Sequence, residues 1–175
     1  MDFKNLKVAI VCDWLTGIGG AERVVKSIHD IFPEAPIYTS QYDPATIDWF
    51  KDAEVRTGFL NHLPVSLKKF LPVLRFFYFN NLDLSDYDLV ISSSGAEAKG
   101  VKTGKNTIHI CYMHAPTHYY WSRYNQYLKH PGMGKLDPLA RLGLKTLVSP
   151  LRKWDKAFSK RPDFIIANST HTKAE

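Results

Sequence analysis

A chain of 175 residues with 45% hydrophobic and 23% charged residues can build one domain with a substantial core and is short for two. That balance excludes a disordered chain, and no run reaches the roughly 18 apolar residues that cross a bilayer as a helix. The net charge of +6 and an isoelectric point near 9.2 favour anionic partners, among them phosphates, nucleotides and acidic lipid surfaces.

Lys7 to Asp13 is an apolar, β-branched run that predicts a buried first strand. A turn containing Gly17, Gly19 and Gly20 follows, and Ala21 to Ile28 reads as a helix. Strand, glycine turn and helix start together predict a doubly wound α/β unit, with backbone N–H groups aimed at an anion beyond the sheet edge. Ile37 to Ser40 is the second predicted strand. Pro44 to Lys51 is read as a short helix capped by Asp43, and Val55 to Phe59 as a third strand. From Pro64 to Phe79, Leu67, Phe70, Leu71, Leu74 and Phe77 recur at helical spacing, with Lys68, Lys69 and Arg75 elsewhere and Pro72 as a kink. Such a helix either packs on the sheet or lies on an anionic membrane with its basic residues at the headgroups. Asp88 to Ser93 and Thr107 to Met113 are strong buried strands. Pro138 to Phe158 is helical, weakened at Gly143 and Pro150, and Phe164 to Ala167 is the last strand. Strands alternating with helices predict a parallel sheet covered on both faces. Asn168 to Glu175 reads as a helix start without a body, so the chain is expected to be one piece of a longer protein.

Met1 to Asn5 leads into the first strand with no cleavable apolar segment, which predicts a cytoplasmic protein. Cys12 and Cys111 both fall in predicted core strands and are expected to be buried thiols.

Four clusters are candidates for chemistry. The glycine turn lets backbone approach a ligand, but Glu22 stands where the dinucleotide fingerprint needs its third glycine, which argues against a nicotinamide cofactor. His114 ends the fifth strand, at the edge where doubly wound folds bind ligands. Pro116 separates it from His118 with no cysteine or carboxylate near in sequence, so no metal is expected. Tyr119, Tyr120, Trp121 and Arg123 offer sugar-stacking faces and a phosphate-binding guanidinium, or simply fill the core. Ser92, Ser93 and Ser94 make a polar rim, and Lys99 either reaches a phosphate or is solvated. No nucleic-acid-binding module is recognisable.

In order along the chain, Gly19-Gly20-Ala21-Glu22-Arg23, Ser92-Ser93-Ser94, Ala98-Lys99-Gly100-Val101, Tyr112-Met113-His114-Ala115-Pro116 and Ala167-Asn168-Ser169 resemble the N-terminal domain of a glycosyltransferase family 4 enzyme, a retaining GT-B transferase. The resemblance covers nearly the whole chain and implies one Rossmann-like domain of a two-domain GT-B architecture. This domain would shape the acceptor site, and an absent C-terminal domain would grip the nucleotide sugar. It implies that Gly19 and Gly20 approach the donor diphosphate, with Lys99 and Ser169 also on the donor side. It implies that His114 contacts the donor sugar at the reacting centre, and that Tyr119, Tyr120, Trp121 and Arg123 line the acceptor side. The donor is a nucleotide sugar, the acceptor a glycan or lipid-linked molecule, and no metal or other cofactor is implied. Two departures stand out. Gly95-Ala96-Glu97 lacks a histidine that many relatives carry near Gly95, and no two glutamates have the spacing of the donor-binding E-x7-E pair. A Rossmann-like module that docks on a partner subunit is the alternative reading.

Overall fold

The computed structural model describes residues 6–63, 72–132 and 134–174. Six strands, β1 (Val8–Cys12), β2 (Ile37–Thr39), β3 (Val55–Thr57), β4 (Leu89–Ser94), β5 (Ile108–Met113) and β6 (Phe164–Ala167), form one sheet. Their order is β3-β2-β1-β4-β5-β6, and every pairing is parallel. Helices α1 (Gly20–Ile31), α2 (Pro72–Asn81), α3 (Tyr124–Lys129), α4 (Asp137–Phe158) and α5 (Thr170–Ala174) flank it. This is a Rossmann-like α/β fold, with its topological switch between β1 and β4.

All five residues of β1 are buried, because both faces of the sheet are covered. The two-residue strand period divides them. Val8, Ile10 and Cys12 pack with Val25, Ile37, Ile47 and Phe50 on one face. Ala9 and Val11 pack with Tyr38, Phe79, Leu84, Val90 and Val101 on the other. Each fully buried Val, Leu, Ile or Phe side chain contributes roughly 1.5–3 kcal/mol, so these two clusters hold the sheet centre in place.

Several local expectations change. Residues 44–51 form successive turns rather than a helix. Asp43 does cap them, accepting the Ala45 N–H at 3.1 Å and the Thr46 hydroxyl at 2.7 Å, but burying both Ile47 and Phe50 takes precedence over helical propensity. The helix expected from Pro64 falls partly on residues 64–71, with Lys68 and Lys69, which lie outside the described residues. Pro72 is the first described residue of α2, and whether it kinks a longer helix falls on residues outside the described ones. The face of α2 is also rotated from expectation: Arg75 and Phe79 are buried, whereas Leu74 and Phe77 are 38% and 49% exposed. Arg75 therefore does not reach a headgroup. α4 runs unbroken through Gly143 and Pro150, because Leu151 and Phe158 are buried and Trp154 stacks on Phe76 at 4.1 Å. β6 is less buried than its apolar sequence suggests: Phe164, Ile165 and Ile166 are 61%, 48% and 50% exposed, as side chains of a sheet-edge strand. No helix of the described residues is long and apolar enough to cross a membrane.

Candidate functional site at the switch point

β1 pairs with β2 on one side and β4 on the other, so the segments leaving β1 and β4 diverge and open a crevice at their carboxyl ends. A cleft of about 730 Å³ lies there. Its floor is Cys12, Asp13 and Trp14 from the end of β1, Ser93 and Gly95 from β4, and His114 after β5. Ala21, Glu22 and Val25 of α1 form one wall. Leu139, Ala140, Gly143, Leu144, Leu147 and Leu151 of α4 form the opposite, apolar wall.

Asp13 shapes the floor. Its carboxylate accepts the backbone N–H groups of Gly95 (2.8 Å), Ala96 (3.0 Å) and Ala98 (2.7 Å). Its carbonyl accepts the Ser40 N–H at 3.3 Å and the Ser40 hydroxyl. Asp13 thus ties the end of β1 to the end of β2 through its backbone carbonyl, and to the loop after β4 through its carboxylate, whose hydrogen bonds are strengthened by charge.

His114 is positioned by its backbone and by Ser93. Its N–H bonds to the Ser94 carbonyl at 2.9 Å, and its carbonyl accepts the Thr172 hydroxyl at 3.2 Å. Its Nε2 lies 2.7 Å from Ser93 Oγ. Burial lowers its pKa below the ordinary 6.5, so at neutral pH the ring is mainly uncharged and presents one donor and one acceptor.

Two buried ion pairs underlie the cleft. Arg75 Nε bonds Glu97 Oε2 at 2.8 Å, and its Nη2 donates to the Tyr119 hydroxyl at 3.0 Å. The guanidinium sits 4.8 Å from the Trp14 ring centroid. The Tyr119 and Tyr120 hydroxyls both donate to Glu97 Oε1 at 3.1 Å. Burial raises the Glu97 pKa, and Arg75 opposes that rise. Lys99, 1% exposed, donates from Nζ to Asp155 at 2.7 Å and to the Ala96 carbonyl at 2.5 Å. Asp155 also accepts the Thr117 hydroxyl at 2.9 Å and Trp121 Nε1 at 2.8 Å.

The fold brings His114, Tyr119 and Tyr120 into one cleft with the first turn of α1. Lys99 is not there, because its charge is committed to Asp155 beneath the floor. Trp121 holds Asp155 and carries Arg152 at 5.1 Å over its ring, also outside the lining. Arg123 is exposed, away from the cleft, with its N–H on the His118 carbonyl. Ser169 accepts the Thr172 N–H at 3.1 Å at the start of α5. Gly19 and Gly20 border the lining at the start of α1 without being part of it. Gly17, Gly19 and Gly20 have no positive φ, and nothing lies within 4 Å of a Cβ added at Gly17 or Gly20. The fold therefore does not require glycine at these two positions, and the space above them is open.

Sequence reasoning missed Asp13, Arg75, Glu97 and the α4 wall as parts of this site. Asp13 was detectable as a lone acid closing an apolar strand. Arg75 and Glu97 are 22 residues apart and no local pattern links them. Both cysteines are free and buried, and burial pushes the Cys111 thiol up to about 11, which leaves it unreactive at neutral pH. Among the described residues no three His, Cys, Asp or Glu side chains are grouped to hold a metal ion.

Comparison with protein-family models, with curated proteins and with solved structures finds no match to this chain.

Proposed function

We propose that the chain is the acceptor-side half of a retaining glycosyltransferase, a Rossmann-like unit of a GT-B enzyme that moves a sugar from a nucleotide-sugar donor to a glycan or lipid-linked acceptor. The observation that carries this reading is the convergence of the neutral His114 imidazole, Ser93 and the first turn of α1 on one cleft at the β1–β4 switch point. Neutral polar groups held in a fixed array suit hydroxyl-rich ligands.

In this reading the donor diphosphate approaches Gly19 and Gly20 at the start of α1; the space over Gly20 is open, and the Glu22 carboxylate stands 2.9 Å from where a Cβ on Gly19 would lie. His114 bonds the donor sugar at the reacting centre, and Tyr119 and Tyr120 face the acceptor. Catalysis by this half is positioning and charge stabilisation, with the ring held by Ser93 before substrate arrives. The donor grip lies in a second unit, so this half alone is expected to turn over no nucleotide sugar. The proposed cytoplasmic, membrane-peripheral setting draws support from Leu74 and Phe77, exposed on α2.

Titrating nucleotide sugars and methyl glycosides against the isotope-labelled chain tests the reading. The amide resonances of Glu22, Gly95 and His114 should move together with at least one sugar, and His114→Ala should remove the response without unfolding the protein. A panel that leaves all three resonances in place refutes it. The exposed apolar edge at β6 favours a second reading, a binding module docked on a partner subunit. That reading predicts no sugar response at His114.

A further inference from the structure

The stripe along α4 is covered at one end and open at the other. Beyond the cleft, Trp154 stacks on Phe76 at 4.1 Å and Phe158 on the same ring at 4.8 Å. Toward the helix N-terminus that cover is lost: Leu151 is 4% exposed, Leu147 42% and Leu139 63%, and all three line the cleft. The gradient traces a path from the buried Leu151, which lines the cleft together with Tyr120 and Arg75, out to solvent. At a rise of about 1.5 Å per residue the path is on the order of 18 Å long. Gly143 lies on this face, and nothing stands within 4 Å of a Cβ placed on it. A glycine inside a helix destabilises it, and no neighbour here requires one. Its effect is a notch in the apolar wall. The polar groups of the cleft lie away from α4: Glu22 on the α1 wall between Ala21 and Val25, and Asp13, Ser93, His114 and His118 elsewhere in the lining. Glu22 lines the cleft at the first turn of α1, where its carboxylate can accept hydrogen bonds from hydroxyls.

We infer that the cleft binds an amphiphilic acceptor, with a hydroxyl-bearing sugar head between Glu22 and Ser93, beside the His114 ring that meets the donor sugar, and an apolar chain lying along Leu151, Leu147 and Leu139 of α4 past the Gly143 notch. This rests on the sugar-acceptor reading and narrows it to lipid-linked acceptors. A free glycan leaves the leucine wall in water. An aliphatic chain covers it and needs no hydrogen bonds there.

Calorimetric titration of the chain with methyl β-D-glucopyranoside, 1-octanol and octyl β-D-glucopyranoside below its micelle concentration tests the inference. Each methylene withdrawn from water tightens binding about fourfold, so the octyl glucoside should bind at least about a hundredfold tighter than the methyl glucoside. Leu147→Asp and Gly143→Phe should remove that advantage and leave methyl glucoside binding as it was. Leu142→Asp is the control, because Leu142 is 60% exposed on α4 and does not line the cleft. Gly143→Phe should retain its thermal midpoint, which separates a blocked groove from an unfolded protein. Equal affinity for the two glucosides overturns the inference and leaves the sugar-acceptor reading standing. Octanol binding as tightly as octyl glucoside keeps the groove and overturns the sugar-acceptor reading. Failure of both alkyl compounds to bind overturns the inference.

Discussion

Lys99→Met separates a structural lysine from a phosphate-binding one. The ammonium is 1% exposed and its partner Asp155 is 8% exposed. Removing one member of a buried pair leaves the other charge in a poorly solvating interior, at a cost of about 3–5 kcal/mol. Asp155 would keep only the neutral donors Thr117 and Trp121, which do not neutralise it. For a domain of this size the loss corresponds to a fall in midpoint of roughly 6–20 °C. Denaturant unfolding of Lys99→Met, Asp155→Asn and the double variant measures it. The double variant should be more stable than the sum of the single losses predicts, by at least about 2 kcal/mol, because it leaves no uncompensated charge. Lys99→Met within 1 kcal/mol of the parent, or strictly additive losses, would refute the reasoning and return Lys99 to the list of ligand contacts.

His109 predicts acid sensitivity. It is fully buried with Nε2 2.9 Å from Ser92 Oγ, and burial lowers its pKa from 6.5 to about 4. Because the unfolded chain takes up the proton first, this residue's contribution is intact above pH 6.5 and is lost as pH falls toward 4. At 1.36 kcal/mol per pH unit, the loss is about 3 kcal/mol. His29 and His114 shift in the same direction, so the measurement is the difference in unfolding free energy between parent and His109→Gln at pH 7 and pH 4. Parallel pH profiles would contradict the assignment. Gly100→Ala should destabilise by roughly 1–3 kcal/mol, since the added methyl meets the buried Phe158 ring, and a thermal melt unchanged from the parent would show that the ring yields.

How much of the site was legible depended on how local its causes are. His114 was readable because a polar residue ending an apolar strand must lie at the sheet edge. Lys99 was not. A lysine after a serine-rich strand end reads as exposed until Asp155, 56 residues later, is brought against it. The aromatic run at Tyr119 to Trp121 divides the same way. Tyr119 and Tyr120 reach the cleft, while Trp121, one residue on, turns to Asp155.

By itself the sequence determined the α/β class, the parallel sheet and the identity of the core strands, because strand and helix periodicities and two-sided burial are properties of short segments. Tertiary structure alone decided the direction of the α2 face, the partners of Arg75 and Lys99, the exposure of β6, and the pairing of a polar floor with a leucine wall. Those depend on which distant charges and apolar stripes are packed together, and chain separation hides such meetings from any local pattern.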